Sequence, residues 1–177
     1  MTAGERYRTL IAAEDIQQRI EQMGQELTRR FAGQNLLAVV LLDGAVMFAA
    51  DLLRCLQVPG LRTHFMRAAS YHGGMQSSGK VALTDLPRCR GQSVLLIDDI
   101  LDSGRTLQRV YAALHEAGAA AISTCVLLDK PGQRECAIES DYVGFTVPEA
   151  FLVGYGLDIG GRLRHLPDVC VYEPPSR

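Results

Sequence analysis

The chain has 177 residues with 18 basic and 20 acidic side chains, a net charge of −2, enough for one compact domain and without the basic bias of a general nucleic-acid surface. A domain of this size buries roughly 70% of its unfolded surface and needs no covalent staple. Five cysteines, Cys55, Cys89, Cys125, Cys136 and Cys170, form no C-x-x-C pair, and the amino terminus lacks an apolar leader run, which together predict reduced thiols in a soluble cytoplasmic protein with no membrane segment.

Ile16, Ile20, Met23 and Leu27 recur at helical spacing, so residues 14–31 read as an amphipathic helix ending near Gly33. "NLLAVVLL" is a buried strand, Asp43-Gly44 a turn, and "AVMFAADLLRCL" a helix. Residues 62–69 read as another strand, followed by "SYHGGMQSSGK", a Gly/Ser-rich stretch of the kind that forms lids. "VALTDL" and "SVLLIDD" are strands, Thr106–Ala117 a helix closed by Gly118, and "AISTCVLLD", "DYVGFTV", "FLVGY" and "VCVYE" four further strand-like runs. Strands alternating with helices predict an α/β fold with a mainly parallel sheet flanked by helices. In such sheets ligands bind at the carboxyl ends of the strands, where loops 43–45, 98–106 and 129–132 fall.

The stretch "LLIDDILDSGRTL", residues 95–107, runs a buried strand into three acids and a small polar turn. Clustered carboxylates are costly unless a ligand or partner uses them. Ser103, Gly104, Arg105 and Thr106 lie between a strand end and a helix start, where unpaired N–H groups favour an anion, so a phosphate monoester fits. Asp98 and Asp99 beside that cup suit vicinal hydroxyls and a water-bridged Mg²⁺, an arrangement that ribose 5-phosphate presents. A strand-end Asp pair with Ser103 as an ordinary helix cap is the purely structural account. Neither a G-x-x-x-x-G-K-[ST] loop nor a G-x-G-x-x-G signature is present. The four histidines, His64, His72, His115 and His165, have no metal-ligand spacing.

"VLLIDDILDSGRTL" closely resembles the phosphoribosyl-pyrophosphate motif of type I phosphoribosyltransferases. "SYHGGMQSSGKV", "LLDKPGQR" and "VPEAFLVGYGLDIGGRLRHLPDV", with "AAEDIQQRI" and "AADLLR" before them, resemble in order the segments of hypoxanthine-guanine phosphoribosyltransferases over nearly the whole chain. The resemblance implies a single domain over 1–177, with a core at about 34–145 and a small hood from the amino-terminal segment and about 146–177. It implies Mg²⁺-dependent transfer of the phosphoribosyl group of phosphoribosyl pyrophosphate to hypoxanthine and to guanine, in a homodimer or homotetramer.

By the same resemblance Asp98 and Asp99 hold the ribose hydroxyls, residues 102–106 hold the 5′-phosphate, and Asp102 is general base to the purine's imidazole ring. Lys130 donates to the purine 6-oxo group, Phe151 stacks on the ring, and the Leu152 backbone reads its edge. Asp158 lies beside the base and, with Asp98 and Asp99, the metal; Gly44 and Arg164 take pyrophosphate, for which a guanidinium fork is suited. Ser70 and Tyr71 open the mobile loop, with Ser77, Ser78 and Gly79 as its hinge or lid, excluding water from a cation-like transition state.

Two positions depart from the family pattern. Asp43 stands where a basic residue precedes the loop glycine, leaving three options: an acid turned away, contact to metal-bound water, or binding by the backbone around Gly44. A cis peptide is expected at Leu42-Asp43. Ile159 stands where an aromatic is common, bearing on pocket shape and base preference. The alternatives are a xanthine-preferring enzyme on the same fold and a regulatory protein that senses phosphoribosyl pyrophosphate, which would need neither Asp102, Lys130 nor Phe151.

Overall fold

The computed structural model describes residues 6–70 and 81–174. Strand β1 (Arg6–Ile11) leads into helix α1 (Ala13–Arg30), then β2 (Leu36–Leu42), α2 (Val46–Cys55), β3 (Arg62–Ser70) and β4 (Val81–Thr84). There follow β5 (Ser93–Leu101), α3 (Arg105–Glu116), β6 (Ala121–Asp129), a 3₁₀ turn (Pro131–Gln133), β7 (Tyr142–Thr146), β8 (Leu152–Val153) and β9 (Val169–Glu173).

Six strands form one sheet in the order β4-β3-β2-β5-β6-β7. All neighbours are parallel except β4, which runs antiparallel to β3 at the edge. Strand β2 is apolar on both sides because both sides are covered. Leu36, Ala38 and Val40 pack with α1 and α2, whose contributions include Ile16, Ile20, Met23, Phe48 and Leu52. Leu37, Val39 and Leu41 pack with Leu107, Val110 and Leu114 of α3. Each fully buried side chain of this kind contributes about 1.5–3 kcal/mol. The fold is the mixed α/β arrangement, with its mostly parallel sheet, that the sequence pattern predicts.

Strand β5 departs from expectation. Its pairing with β6 holds Asp98 opposite Val126, then resumes at Ile100 with Leu128 and Leu101 with Asp129. Asp98 and Asp99 therefore lie inside the strand rather than at its end, because the apolar Ile100 and Leu101 continue the ladder beyond them.

A second, three-stranded sheet has the order β1-β9-β8 and joins the two ends of the chain. The amino-terminal strand is not visible in the hydropathy pattern: Arg6, Tyr7, Arg8 and Thr9 are all exposed, and β9 alone holds them in register. Helix α1 has no local side-chain cap. Asp168 supplies one from the far end of the chain, accepting from Ala13 N at 2.9 Å and Thr9 Oγ1 at 3.1 Å. All five cysteines are free. Among the described residues no helix is long and apolar enough to cross a membrane.

Candidate active site

A cleft of about 310 Å³ opens at the carboxyl ends of β2 and β5, lined among others by Gly44, Asp98, Asp99, Asp102, Ser103, Gly104, Thr106, Asp158 and Arg164. Two of the three loops expected at this edge meet there, and the segment after β8 closes the third side. The lining holds four carboxylates against one guanidinium. A ligand with hydroxyl donors and a bound divalent cation suits such a surface better than a bare anion.

The turn into α3 is shaped by Gly104. It is the N-cap of α3 at φ +84, a left-handed conformation that side chains resist. A Cβ there would also lie 2.8 Å from Ile138 Cγ2. The first turn of α3 carries no acidic residue, which suits an anion at a helix start. Ser103 and Thr106 line the same cup. The Arg105 side chain does not; it pairs with Glu135.

Asp98 accepts from Asp99 N at 3.0 Å, and Asp99 from Ile100 N at 2.8 Å. Burial pushes the Asp98 carboxyl well above the usual carboxylate range, and the neighbouring charge of Asp99 adds to it. Burial raises Asp99 as well. Gly44 is packed so tightly against this pair that a Cβ would fall 1.7 Å from Asp99 Oδ2. The Leu42-Asp43 peptide is cis, as expected from the resemblance. Asp43 does not line the cleft; its carboxylate takes both guanidinium nitrogens of Arg67 on β3, at 2.9 and 3.1 Å.

One oxygen of Asp102, Oδ1, is buried without a hydrogen-bond partner among the described residues. The other lies 3.9 Å from Lys130 Nζ. An orphaned buried acceptor is uncommon and costly, and the Asp102 side chain is otherwise 49% exposed and lines the cleft, where a ligand can reach it. Lys130 is no solvated loop lysine, since its side chain is 11% exposed. Phe151 is 54% exposed, with its ring held edge-on by Tyr172 at 5.9 Å. Leu152 is buried in β8, paired with Val171. Lys130, Phe151 and Leu152 lie outside the cleft lining proper, Lys130 reaching Asp102 from the end of β6.

Asp158 and Arg164 meet as a pair at 2.7 Å, and Arg164 Nη1 donates to Gly156 O at 2.5 Å. Gly156 stacks on the cis loop: a Cβ there would sit 2.1 Å from Gly44 O. Among the described residues no three His, Cys, Asp or Glu side chains converge to hold a metal by themselves. The buried Asp98–Asp99 pair does fit Mg²⁺, which keeps several waters and binds through one or two carboxylates plus substrate oxygens. Ser70 ends β3, whereas Tyr71, His72, Ser77, Ser78 and Gly79 lie outside the described residues. Sequence reasoning missed Arg67 and Arg134, which pair with Asp43 in the turn after β2 and with Asp129 and the Asp102 carbonyl respectively.

Residues 8–159 match the family model of the phosphoribosyl transferase domain. This chain belongs to that phosphoribosyltransferase family. Its relatives include hypoxanthine and hypoxanthine-guanine phosphoribosyltransferases. It is 42% identical over 164 residues to the hypoxanthine phosphoribosyltransferase of Salmonella typhimurium, covering 90% of this chain and 92% of the relative. It is 43% identical over 169 residues to the bifunctional protein TilS/HprT of Listeria innocua, covering 94% of this chain and 26% of that protein, so it spans about a quarter of the bifunctional relatives it matches. Among solved structures, a hypoxanthine phosphoribosyltransferase from Staphylococcus aureus superposes with a TM-score of 0.89 at 37% identity, covering 94% of this chain and 91% of the other.

Proposed function

We propose that the chain transfers the 5-phosphoribosyl group of phosphoribosyl pyrophosphate to a ring nitrogen of hypoxanthine, and of guanine, in the cytoplasm as a homodimer or homotetramer. The observation that carries this is the orphaned Asp102 Oδ1 between an anion cup and a buried lysine. A ribose-phosphate binder needs the cup and the Asp98–Asp99 pair. An acceptor without a donor, beside a cation fit for an exocyclic oxygen, is explained by a 6-oxopurine N–H.

In this reading the α3 N-terminus, Ser103 and Thr106 hold the 5′-phosphate, and Asp98 and Asp99 hold the ribose hydroxyls. The bond from the anomeric carbon to pyrophosphate breaks as the bond to nitrogen forms. The nitrogen's proton passes to Asp102, while Arg164 and the Gly44 backbone hold the departing pyrophosphate. Phe151 offers an uncovered aromatic face to the purine. Asp98 and Asp99, with Asp158 nearby, would hold Mg²⁺, which when bound neutralises phosphate charge. A core of about 34–145 carries the sugar and phosphate contacts; a hood of the amino-terminal segment and 146–177 carries Phe151, Asp158 and Arg164. Ser70 and Tyr71 begin the segment that excludes water.

Purified protein with Mg²⁺ and phosphoribosyl pyrophosphate is expected to form inosine and guanosine monophosphates and release pyrophosphate. Xanthine and adenine serve as comparison bases. Tight binding of phosphoribosyl pyrophosphate with no turnover on any base would favour the sensor reading instead.

The Asp43–Arg67 pair carries a second expectation. Arg67→Ala leaves an acid without its partner beside the pyrophosphate loop. A repulsion of roughly 1 kcal/mol is about a factor of five in affinity. The KM for phosphoribosyl pyrophosphate should rise by about three- to tenfold, and Arg67→Ala with Asp43→Ala should restore it. The melting temperature should barely move, because exposed ion pairs contribute little.

A further inference from the structure

Asp102 follows β5 and Lys130 follows β6, and 3.9 Å between a lysine and a carboxylate does not by itself fix either group. What fixes them lies underneath. Arg134, just after the 3₁₀ turn, donates from Nη1 to the Asp102 carbonyl oxygen at 2.5 Å. Its Nη2 pairs with the carboxylate of Asp129, the residue before Lys130. Both side chains are mostly buried, at 18% and 19% exposure, so water does not compete for them as it does at a surface pair. The Arg134 Cδ lies 3.3 Å from where a Cβ on Gly104 would stand, so the glycine also gives the arginine its room.

We propose that Arg134 is the positioning residue that sets the purine-facing pair, Asp102 and Lys130, in register. The proposal rests on the phosphoribosyltransferase reading above. Two neighbouring bonds complete the seam: Lys130 N donates to Leu101 O at 2.9 Å and Glu135 N to Ser103 O at 2.9 Å. These fix the backbones of the two loops, whereas the Arg134 side chain ties the Asp102 carbonyl to the carboxylate of the residue before Lys130. Arginine is required because its rigid fork reaches two acceptors on different loops from two separate nitrogens; lysine keeps the charge but offers one nitrogen. The phosphate cup does not depend on it in the same way, because its donors are the first N–H groups of α3, a helix anchored by Leu107, Val110 and Leu114.

The test separates purine from sugar. Wild-type turnover, measured first, reports on the activity itself. In Arg134→Lys, kcat/KM for hypoxanthine should fall by about ten- to a hundredfold, the scale of an ångström-sized misplacement, while KM for phosphoribosyl pyrophosphate stays within about threefold and the melting temperature stays near wild type. Arg134→Ala should lose more and regain activity with added methylguanidinium, which can enter through the open pocket of about 690 Å³ that Asp129, Arg134 and Cys136 help to line. If the alanine variant does not fold, the lysine variant decides. An unchanged kcat/KM for hypoxanthine in Arg134→Lys, or equal losses on the purine and sugar sides, would overturn the proposal with wild-type activity intact.

Discussion

Asp102→Asn should lower kcat by about 10²- to 10⁴-fold, the range that a positioned general base contributes, while the protein still binds phosphoribosyl pyrophosphate. Asparagine has the shape of aspartate and preserves the turn, but its side chain cannot accept the purine's proton. The structure separates these two properties. The anion cup consists of backbone N–H groups at the start of α3 with Ser103 and Thr106 beside them, none of which needs the Asp102 carboxylate. That carboxylate has one oxygen buried without a partner and the other 3.9 Å from Lys130, a long contact to a half-exposed acid that contributes little to the free protein. Stability should therefore change little. Steady-state kinetics with hypoxanthine, beside calorimetric titration with phosphoribosyl pyrophosphate and Mg²⁺, checks both halves. A kcat within about threefold of wild type would remove Asp102 from proton transfer.

The sequence exposes those parts of the molecule whose logic is local. Strand β2 reads as buried because every position is apolar, and the structure covers both faces. The turn at 102–106 is legible because a glycine, two hydroxyls and a helix start are adjacent in the chain. Strand β1 is not legible: it is polar and exposed, and exists because β9, more than 150 residues away, offers it an edge. The placement of Asp98 and Asp99 is half legible. Their proximity is in the sequence, but their burial follows from Ile100 and Leu101 staying in the ladder with β6. Arg67 and Arg134 are invisible for a related reason. An arginine on an edge-ward strand or in a loop looks solvated until the fold shows whether its partner is Asp43 in the turn after β2, or Asp102 after β5 and Asp129 at the end of β6. The resemblance named Asp43 as a departure, and the structure supplies the reason it is tolerated: its charge is turned onto Arg67 and away from the cleft lining.

The Asp98–Asp99 pair yields the other large effect, and its sign is opposite for stability and for function. Burial lifts the Asp98 carboxyl well above its ordinary value and the neighbouring acid lifts it further; burial also lifts Asp99. A carboxyl whose folded-state pKa lies above its unfolded value, near 3.9, binds more protons folded than unfolded. Its stabilising contribution is therefore complete below the unfolded value and is lost as pH rises through the folded one. At neutral pH the free protein bears an uncompensated cost. Asp98→Asn should remove that cost and raise stability at pH 7.5 by about 0.5–2 kcal/mol, the usual gain when a functional compromise is relieved, or roughly 1–8 °C in melting temperature. The gain should shrink as pH falls through the raised pKa of Asp98, because the proton then neutralises the buried carboxylate in wild type. Mg²⁺ with phosphoribosyl pyrophosphate should stabilise wild type strongly and the variant weakly, because the substitution removes the charge that binds them. Thermal melts across pH, with and without these ligands, read all three effects. A variant that melts below wild type at pH 7.5 would mean that the Asp98 carboxylate is already compensated in the free protein, and the strand would then hold its acids at no cost.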